Sequence, residues 1–311
     1  MKFYIVDAFA EELFGGNPAG VIILPEGSQF PGDDVMLKTA AELRYSETAF
    51  VLPLNEEAFK IRYFTPTDEV DLCGHATIAS FEALQSEGLI RYGIDYRVDT
   101  LAGDIKVRVD EGVVMMGMAD AKLIKTISDP LEVDRLYDIM GGEYNSSLGL
   151  FPMIISTGLP DIMMPVANID ELNALAPDMN ALSDLSRNYG VTGVHAFTIA
   201  KDEKDNYVDI VIHARNFAPL YGIDEEAATG TANGALTYYL KTNSIIGIPA
   251  TCKVIQGEAM CRPSVIMTSI QTNPAGVYVL DGPSLESEYP TLHEIFVGGS
   301  ARILARGEIN I

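Results

Sequence analysis

The period of the hydrophobic pattern changes repeatedly along the first hundred residues, and each change marks an element. Lys2 to Phe9 and Ala19 to Leu24 are apolar runs bounded by turn residues and predict two strands. Phe14-Gly15-Gly16-Asn17-Pro18 forms the loop between them. From Asp34 the apolar residues Met36, Leu37, Ala40, Ala41 and Leu43 recur at helical spacing, with Asp33 or Asp34 as the expected N-cap. Thr48 to Leu52 and Lys60 to Phe64 read as strands, so Ser46 and Glu47 stand at a helix-to-strand junction. After a polar loop, the alanine-rich segment Ala76 to Leu84 is expected to be a buried helix. Arg97 to Leu101, Ile105 to Val109 and Val113 to Met118 follow as an antiparallel meander, with Gly103 and Gly112 at its turns.

Asp120 to Asn145 is mixed in pattern, contains Pro130, and is expected to carry the passage to a second unit. The pattern then begins again. Met153 to Thr157 and Pro160 to Val166 predict strands, Ile169 to Leu175 and Met179 to Tyr189 helices, and His195 to Ala200 and Tyr207 to Phe217 strands. A helix over Thr231 to Leu240 follows, with strands around Thr251 to Val254, Ser264 to Gln271 and Val277 to Leu280.

The two halves match at one informative place. Phe64-Thr65-Pro66 ends a strand and leads through Asp68, Glu69 and Asp71 to Cys73-Gly74-His75-Ala76, which opens a helix. Phe217-Ala218-Pro219 ends another and leads through three acids to Thr229-Gly230-Thr231-Ala232, which also opens one. Gly74 and Gly230 lie 230 − 74 = 156 positions apart, about half of the 311 residues, as two head-to-tail copies of one fold would place them. Strand–loop–helix units are common, so coincidence is the plainer alternative. A glycine before a helix exposes the first N–H groups at the positive end of the dipole. Two such termini facing each other would hold a small carboxylate without Lys or Arg. The structural alternative is that each glycine only permits a tight turn.

Charge gives that possibility its weight. Lys plus Arg is 21 and Asp plus Glu is 44, so the formal net charge is −23, which argues against nucleic acid or an anionic membrane surface as partner. With 48% hydrophobic and 21% charged residues the chain lies far from the disordered class. Cys73, Cys252 and Cys261 cannot close a disulfide framework, no signal-peptide core develops after Met1, and no apolar run is long enough to span a bilayer. A cytoplasmic location is the expectation. The four histidines, His75, His195, His213 and His293, lack zinc-site spacing, so no metal is expected. GxSxG, GxxxxGK[ST] and GxGxxG are all absent, which removes most of the case for a serine hydrolase, a P-loop NTPase or a simple dehydrogenase.

Five motifs in order carry a family resemblance. They are Phe14-x-Gly16-Asn17-Pro18-Ala19-x-Val21; Ser46-Glu47-Thr48-Ala49-Phe50; Arg62-x-Phe64-Thr65-Pro66 with Cys73-Gly74-His75-Ala76-Thr77; Arg215-x-Phe217-x-Pro219 with Ala228-Thr229-Gly230-Thr231-Ala232; and Gln256-Gly257 with Met260-x-Arg262-Pro263-Ser264. Together with Gly298-Gly299-x-Ala301 they resemble the phenazine-biosynthesis isomerase (PhzF-like) family over nearly the whole chain. The resemblance implies an α+β (α/β) fold of the diaminopimelate epimerase type. That fold has two similar halves, each a mostly antiparallel sheet wrapped around a central helix, with the active site in the cleft between them. The expected division is residues 1–122 and 123–299, with strand 300–311 packing back onto the first half. A homodimer is implied, and no cofactor.

The resemblance also implies roles. Glu47 matches a general acid/base that moves a proton between two carbons of a cyclohexadiene carboxylic acid. His75 matches a histidine that contacts the substrate's polar groups, with Gly74, Gly230 and Thr231 beside it, Thr231 standing where the family usually has Ser. Glu226-Ala227 replaces the usual Asp-Pro, and Cys261 a common Gly, so the substrate need not be the phenazine precursor. Asn17 is a further candidate for the site. The residues themselves agree in part: Glu47, beside Tyr45 and the apolar run Ala49 to Leu52, is expected to be partly desolvated and so raised toward neutrality. An exposed glutamate at a strand start is the plain alternative. Cys73 allows a rival reading as an amino-acid racemase or epimerase, because enzymes of this fold use two opposed cysteines. Here the second position is Thr229, a hydroxyl far too weak an acid for that task. The third reading is a non-catalytic protein that binds a small metabolite.

Overall fold

The computed structural model describes residues 1–110, 112–200, 208–272 and 293–311. Its first half opens with an antiparallel pair, β1 (Lys2–Ala8) and β2 (Asn17–Ile23). A parallel neighbour needs a crossover, and α1 (Asp33–Leu43) supplies it, leading to β3 (Thr48–Asn55) alongside β2. β4 (Ala58–Phe64) returns antiparallel to β3, and the two-residue β5 (Glu69–Val70) pairs with its end. α2 (Gly74–Ser86) crosses to β6 (Ile94–Thr100), which lies parallel to β4. β7 (Gly103–Asp110) and β8 (Val113–Gly117) complete the predicted meander.

The second half repeats this course. After β9 (Lys122–Thr126) and α3 (Pro130–Met140), β10 (Met153–Ser156) pairs antiparallel with β11 (Pro160–Pro165). α4 (Ile169–Ala174) and α5 (Met179–Tyr189) cross to β12 (Val194–Ile199), parallel to β11. β13 (Ile210–Ala218) returns antiparallel, with the short β14 (Ile223–Glu226) on its end. α6 (Gly230–Thr242) crosses to β15 (Ala250–Gln256), parallel to β13, and β16 (Ser264–Thr272) and β17 (His293–Gly299) follow antiparallel. The order of parallel and antiparallel pairings is therefore the same in both halves. Each half also ends by crossing over: β9 pairs with β10, whereas β18 (Ala301–Glu308) pairs back with β1. β8 pairs with β17 and joins the two sheets.

The repeat extends to side chains. Arg62 forks Glu69 with bonds of 2.6 Å and lies over the Phe64 ring, and Arg215 forks Glu225 at 2.9 and 2.8 Å and lies over Phe217. Each pair pins a short strand to the strand that feeds the next helix, through the planar geometry arginine offers a carboxylate. Both central helices are buried along most of their length, which fits their lack of a charged face. Phe81 of α2 and Leu236 and Tyr239 of α6 belong to one continuous hydrophobic core that spans both halves.

Several elements depart from the sequence-based expectations. The mixed stretch holds a strand and a full helix, α3, which begins at the N-cap Asp129, whose side chain accepts from Leu131 N and Glu132 N, with Pro130 next. Val133, Leu136, Tyr137 and Met140 form its buried stripe, so the pattern was present but interrupted by Arg135 and Asp138 on the outer face. The N-cap of α1 is Gly32, not Asp33 or Asp34; both acids lie in the first turn, where they oppose the helix dipole without capping. Gly74 and Gly230 are the first residues of their helices, two and one positions earlier than the apolar pattern indicated. Residue Tyr207 and the strand expected over Val277 to Leu280 lie outside the described residues. No helix among the described residues is long and apolar enough to cross a membrane.

Candidate active site

The N-termini of α2 and α6 meet between the halves. A Cβ built on Gly74 would lie 3.8 Å from the Gly230 Cα, and one built on Gly230 would lie 3.9 Å from the Gly74 Cα. The N-cap residues Cys73 and Thr229 have nearly the same backbone conformation, φ −137°, ψ 117° and φ −130°, ψ 108°, and neither side chain caps its helix. Thr77 and Asn233, each three residues into its helix, bond back to the carbonyl of Cys73 and Thr229 respectively. Two positive helix ends thus face one gap with no capping side chain on either N-cap residue.

Polar side chains converge at this gap from distant parts of the chain. His75, the second residue of α2, has Nε2 3.2 Å from Glu47 Oε2 and 3.3 Å from Ser46 Oγ. Its Nδ1 lies 3.3 Å from both Asn17 Nδ2 and Cys73 Sγ. The Asn17 amide nitrogen also donates to Glu226 Oε1 at 3.1 Å and to the Ala228 carbonyl at 3.2 Å. Because a carbonyl can only accept, the Ala228 contact fixes the orientation of the Asn17 amide. The two N–H groups of Asn17 are shared among these three acceptors; the Glu47 carboxylate, which can only accept, takes the proton on His75 Nε2, and Nδ1 is left to accept from Asn17 Nδ2 and the Cys73 thiol. Opposite, Thr229 Oγ1 donates to Glu226 Oε2 at 2.7 Å. Gln256 Nε2 donates to the Glu226 carbonyl at 2.8 Å and to Thr229 Oγ1 at 3.2 Å, while its Oε1 accepts from Asn233 at 2.9 Å.

Burial divides these groups. The side chains of His75 and Glu47 are 5% and 19% exposed, so the carboxylate is partly accessible while the imidazole is buried. Burial holds His75 below its usual pKa although the Glu47 charge pulls the other way, so near pH 7 the contact is a hydrogen bond from a neutral imidazole to a carboxylate and not an ion pair. The Cys73 thiol is pushed well above its usual value, first by burial and then by the Glu47 carboxylate. Glu226 is pushed up to about 7 by burial, against the bonds from Thr229 and Asn17, with the charges of Glu47 and Asp161 adding to the rise. Asp161, buried on β11, is also raised to about 7 by burial, and its Oδ1 has no hydrogen-bond partner among the described residues.

Glu47, Cys73 and His75 bring three ligand-type atoms within 4.8 Å of one another. The spacing of histidines gave no sign of this, because Glu47 joins from 26 positions upstream of Cys73. The surrounding bonds suit a proton better than a metal. An imidazole that binds a metal through one nitrogen donates its other N–H to an acceptor, and here Asn17 presents a donor to Nδ1.

A model of the phenazine biosynthesis-like protein family matches residues 6–282. The chain belongs to this family. An uncharacterized isomerase of Clostridium acetobutylicum is 32% identical over 99% of this chain and 97% of its own length. The uncharacterized isomerase YddE of Escherichia coli K12 is 31% identical over 86% of this chain and 90% of its own. Among solved structures, a PhzF-family protein of Bacillus anthracis superimposes with a TM-score of 0.81 over 100% of this chain and 99% of its own, at 23% identity. A hydroxyproline epimerase of Agrobacterium vitis shares the fold with a TM-score of 0.56 at 14% identity, over 99% of this chain and 90% of its own.

In this member of the family the fold gathers Glu47, Cys73, His75, Asn17 and Glu226 around the Gly74–Gly230 contact. Thr231 lies one residue into α6, where its carbonyl accepts from Thr157 Oγ1 at 2.9 Å. Sequence reasoning assigned no role to Ser46, Gln256 or Arg262, although each sits in a recognised motif, and it singled out Thr229 only as a substitute for cysteine. Asp161 carried no signal at all: it interrupts an apolar strand, and alternation alone places it on a face without saying what covers it.

Proposed function

We propose that this protein is a cofactor-independent isomerase that moves a proton within a small cyclic carboxylic acid, with Glu47 taking and returning the proton. The observation that carries the reading is a partly exposed carboxylate, bonded at 3.2 Å to His75, beside two facing helix N-termini. The substrate carboxylate occupies the gap and accepts from the first backbone N–H groups of α2 and α6. Glu47 removes a proton from a ring carbon next to the conjugated system. The electron pair left behind spreads toward the substrate carboxylate, where the two helix ends stabilise the developing charge. Glu47 then delivers the proton to a different carbon, so the double bonds shift and no electrons are gained or lost. His75 Nε2–H holds Oε2 of Glu47 and leaves Oε1 for the substrate.

The printed names of the relatives from Clostridium acetobutylicum and Escherichia coli, both isomerases, support this class of reaction. The racemase reading is weaker for a physical reason. The Cys73 thiol is held protonated by burial, and the hydroxyl opposite it, Thr229, is occupied by Glu226. The test is Glu47→Gln, which keeps the shape and the His75 contact. Exchange of substrate hydrogen with deuterated water should be abolished while binding of a cyclohexadiene carboxylic acid persists. Undiminished exchange in the variant would sink the proposal, and binding by the native protein without exchange would favour the metabolite-binding reading.

A further inference from the structure

The two halves diverge in the connection that follows the strand after the central helix. In the first half, Leu101 and Ala102 alone join β6 to β7; in the second, residues 257–263 join β15 to β16. The longer connection crosses to the other half. Arg262 Nε donates to the Gly16 carbonyl at 3.0 Å, and its Nη2 donates to the Gly15 carbonyl at 2.9 Å and to Asp7 Oδ1 at 3.1 Å. Asp7 is 1% exposed, and its other oxygen accepts from Phe14 N at 3.0 Å. Gly16 N donates in return to the Pro263 carbonyl at 3.1 Å. Gly16 has φ +64°, and a Cβ there would lie 2.1 Å from the Ala8 carbonyl, so this tight path requires glycine.

The residue that follows this clamped turn is Asn17. The strand residues that flank the connection hold the segment at Glu226 and Ala227, since Gln256 binds the Glu226 carbonyl and Ser264 Oγ donates to the Ala227 carbonyl at 2.7 Å. The connection and its flanking residues therefore grip both strips of backbone between which the Asn17 amide spans His75 and Glu226.

We propose that Arg262 is a positioning residue: by clamping Gly15 and Gly16 against the second half it sets the Asn17 amide, which in turn favours the His75 tautomer that presents Nε2–H to Glu47. The inference rests on the proposed role of Glu47 for its catalytic meaning, but not for its geometry. An arginine suits the task because its fork reaches two carbonyls and a carboxylate at once, which an ammonium group on a flexible stem cannot match.

The test is made without substrate, so its failure is distinct from failure of the isomerase reading. In 15N-labelled native protein, long-range imidazole spectra should show His75 protonated on Nε2 and bare on Nδ1. Arg262→Met should give a mixture of tautomers and raise the exchange rate of the Gly16 amide by about tenfold or more, the scale of one lost charge-assisted bond. Arg262→Lys, which keeps the charge opposite Asp7, should restore the exchange rate in part. Asp7→Asn should shift both readouts in the same direction as Arg262→Met, and it decides the matter alone if Arg262→Met does not fold. Native tautomer and native Gly16 exchange in the folded variants would overturn the proposal.

Discussion

The pair of facing glycines offers a prediction in which stability and binding move in opposite directions. Gly230 does not adopt a positive φ, and a Cβ added there meets only the Gly74 Cα, at an ordinary 3.9 Å. Alanine therefore fits at the first position of α6 without strain. Replacing glycine by alanine at a compatible position stabilises by about 0.4–1 kcal/mol, mainly by restricting the unfolded chain. In a chain of this size that raises Tm by about 1–2 °C. The new methyl group, however, occupies the gap between the helix ends and screens their amides. Loss of one charge-assisted hydrogen bond to a bound carboxylate costs about 1.5–3 kcal/mol, or about ten- to a hundredfold in affinity. The experiment pairs a thermal melt of Gly230→Ala with equilibrium binding and solvent deuterium exchange across a panel of cyclic carboxylic acids. The expected result is a slightly raised Tm and markedly weaker binding. Unchanged affinity in the folded variant would mean that the glycines serve only close packing, and a fall of several degrees in Tm would contradict the space available at the contact.

Two further predictions concern buried groups. Cys73→Ala should retain deuterium exchange within a few-fold and lose about 1 kcal/mol of stability through the small cavity; loss of all exchange would restore the thiol-based racemase reading. Asp161 has a folded pKa of about 7, above its unfolded value of 3.8, so the native state keeps this proton to higher pH than the unfolded chain does. Its contribution is most favourable below about pH 4 and declines as pH rises toward 7, by on the order of 4 kcal/mol. Asp161→Asn should accordingly flatten the fall of Tm between pH 5 and pH 8, and a melt series with the native slope would refute this account.

The fold was largely legible because its elements are marked by local signals. Period-two alternation in β7 and β15 and the alanine-rich run of α2, with Glu82 its one charged residue, follow from how each segment is covered. α3 was missed although its capping aspartate and Pro130 are a helix-start signal, because the polar residues on its outer face broke the apolar run. At the site, family motifs pointed to Glu47, His75, Gly74, Gly230 and Glu226, but their mutual geometry lay outside what any motif contains. The Asn17–Glu226 bond joins residues 209 positions apart. Gln256 and Arg262 sit in recognised motifs, yet several of their partners are backbone carbonyls, which every residue possesses and no sequence pattern distinguishes.

By itself the sequence marked two similar strand–loop–helix units about half a chain apart, poor in cations and carrying glycine before each helix, while the sheet wrapped around a central helix was implied only by the family resemblance. It marked those units because periodicity, turn residues and helix starts are properties of a few neighbouring side chains. Only the tertiary structure decided that the two helix ends meet, that the Asn17 amide lies between His75 and Glu226, and that burial lifts Glu226 and Asp161 while keeping Cys73 a thiol. Those outcomes depend on desolvation and on hydrogen-bond angles between groups far apart in the chain, and both exist only once the two halves close on each other.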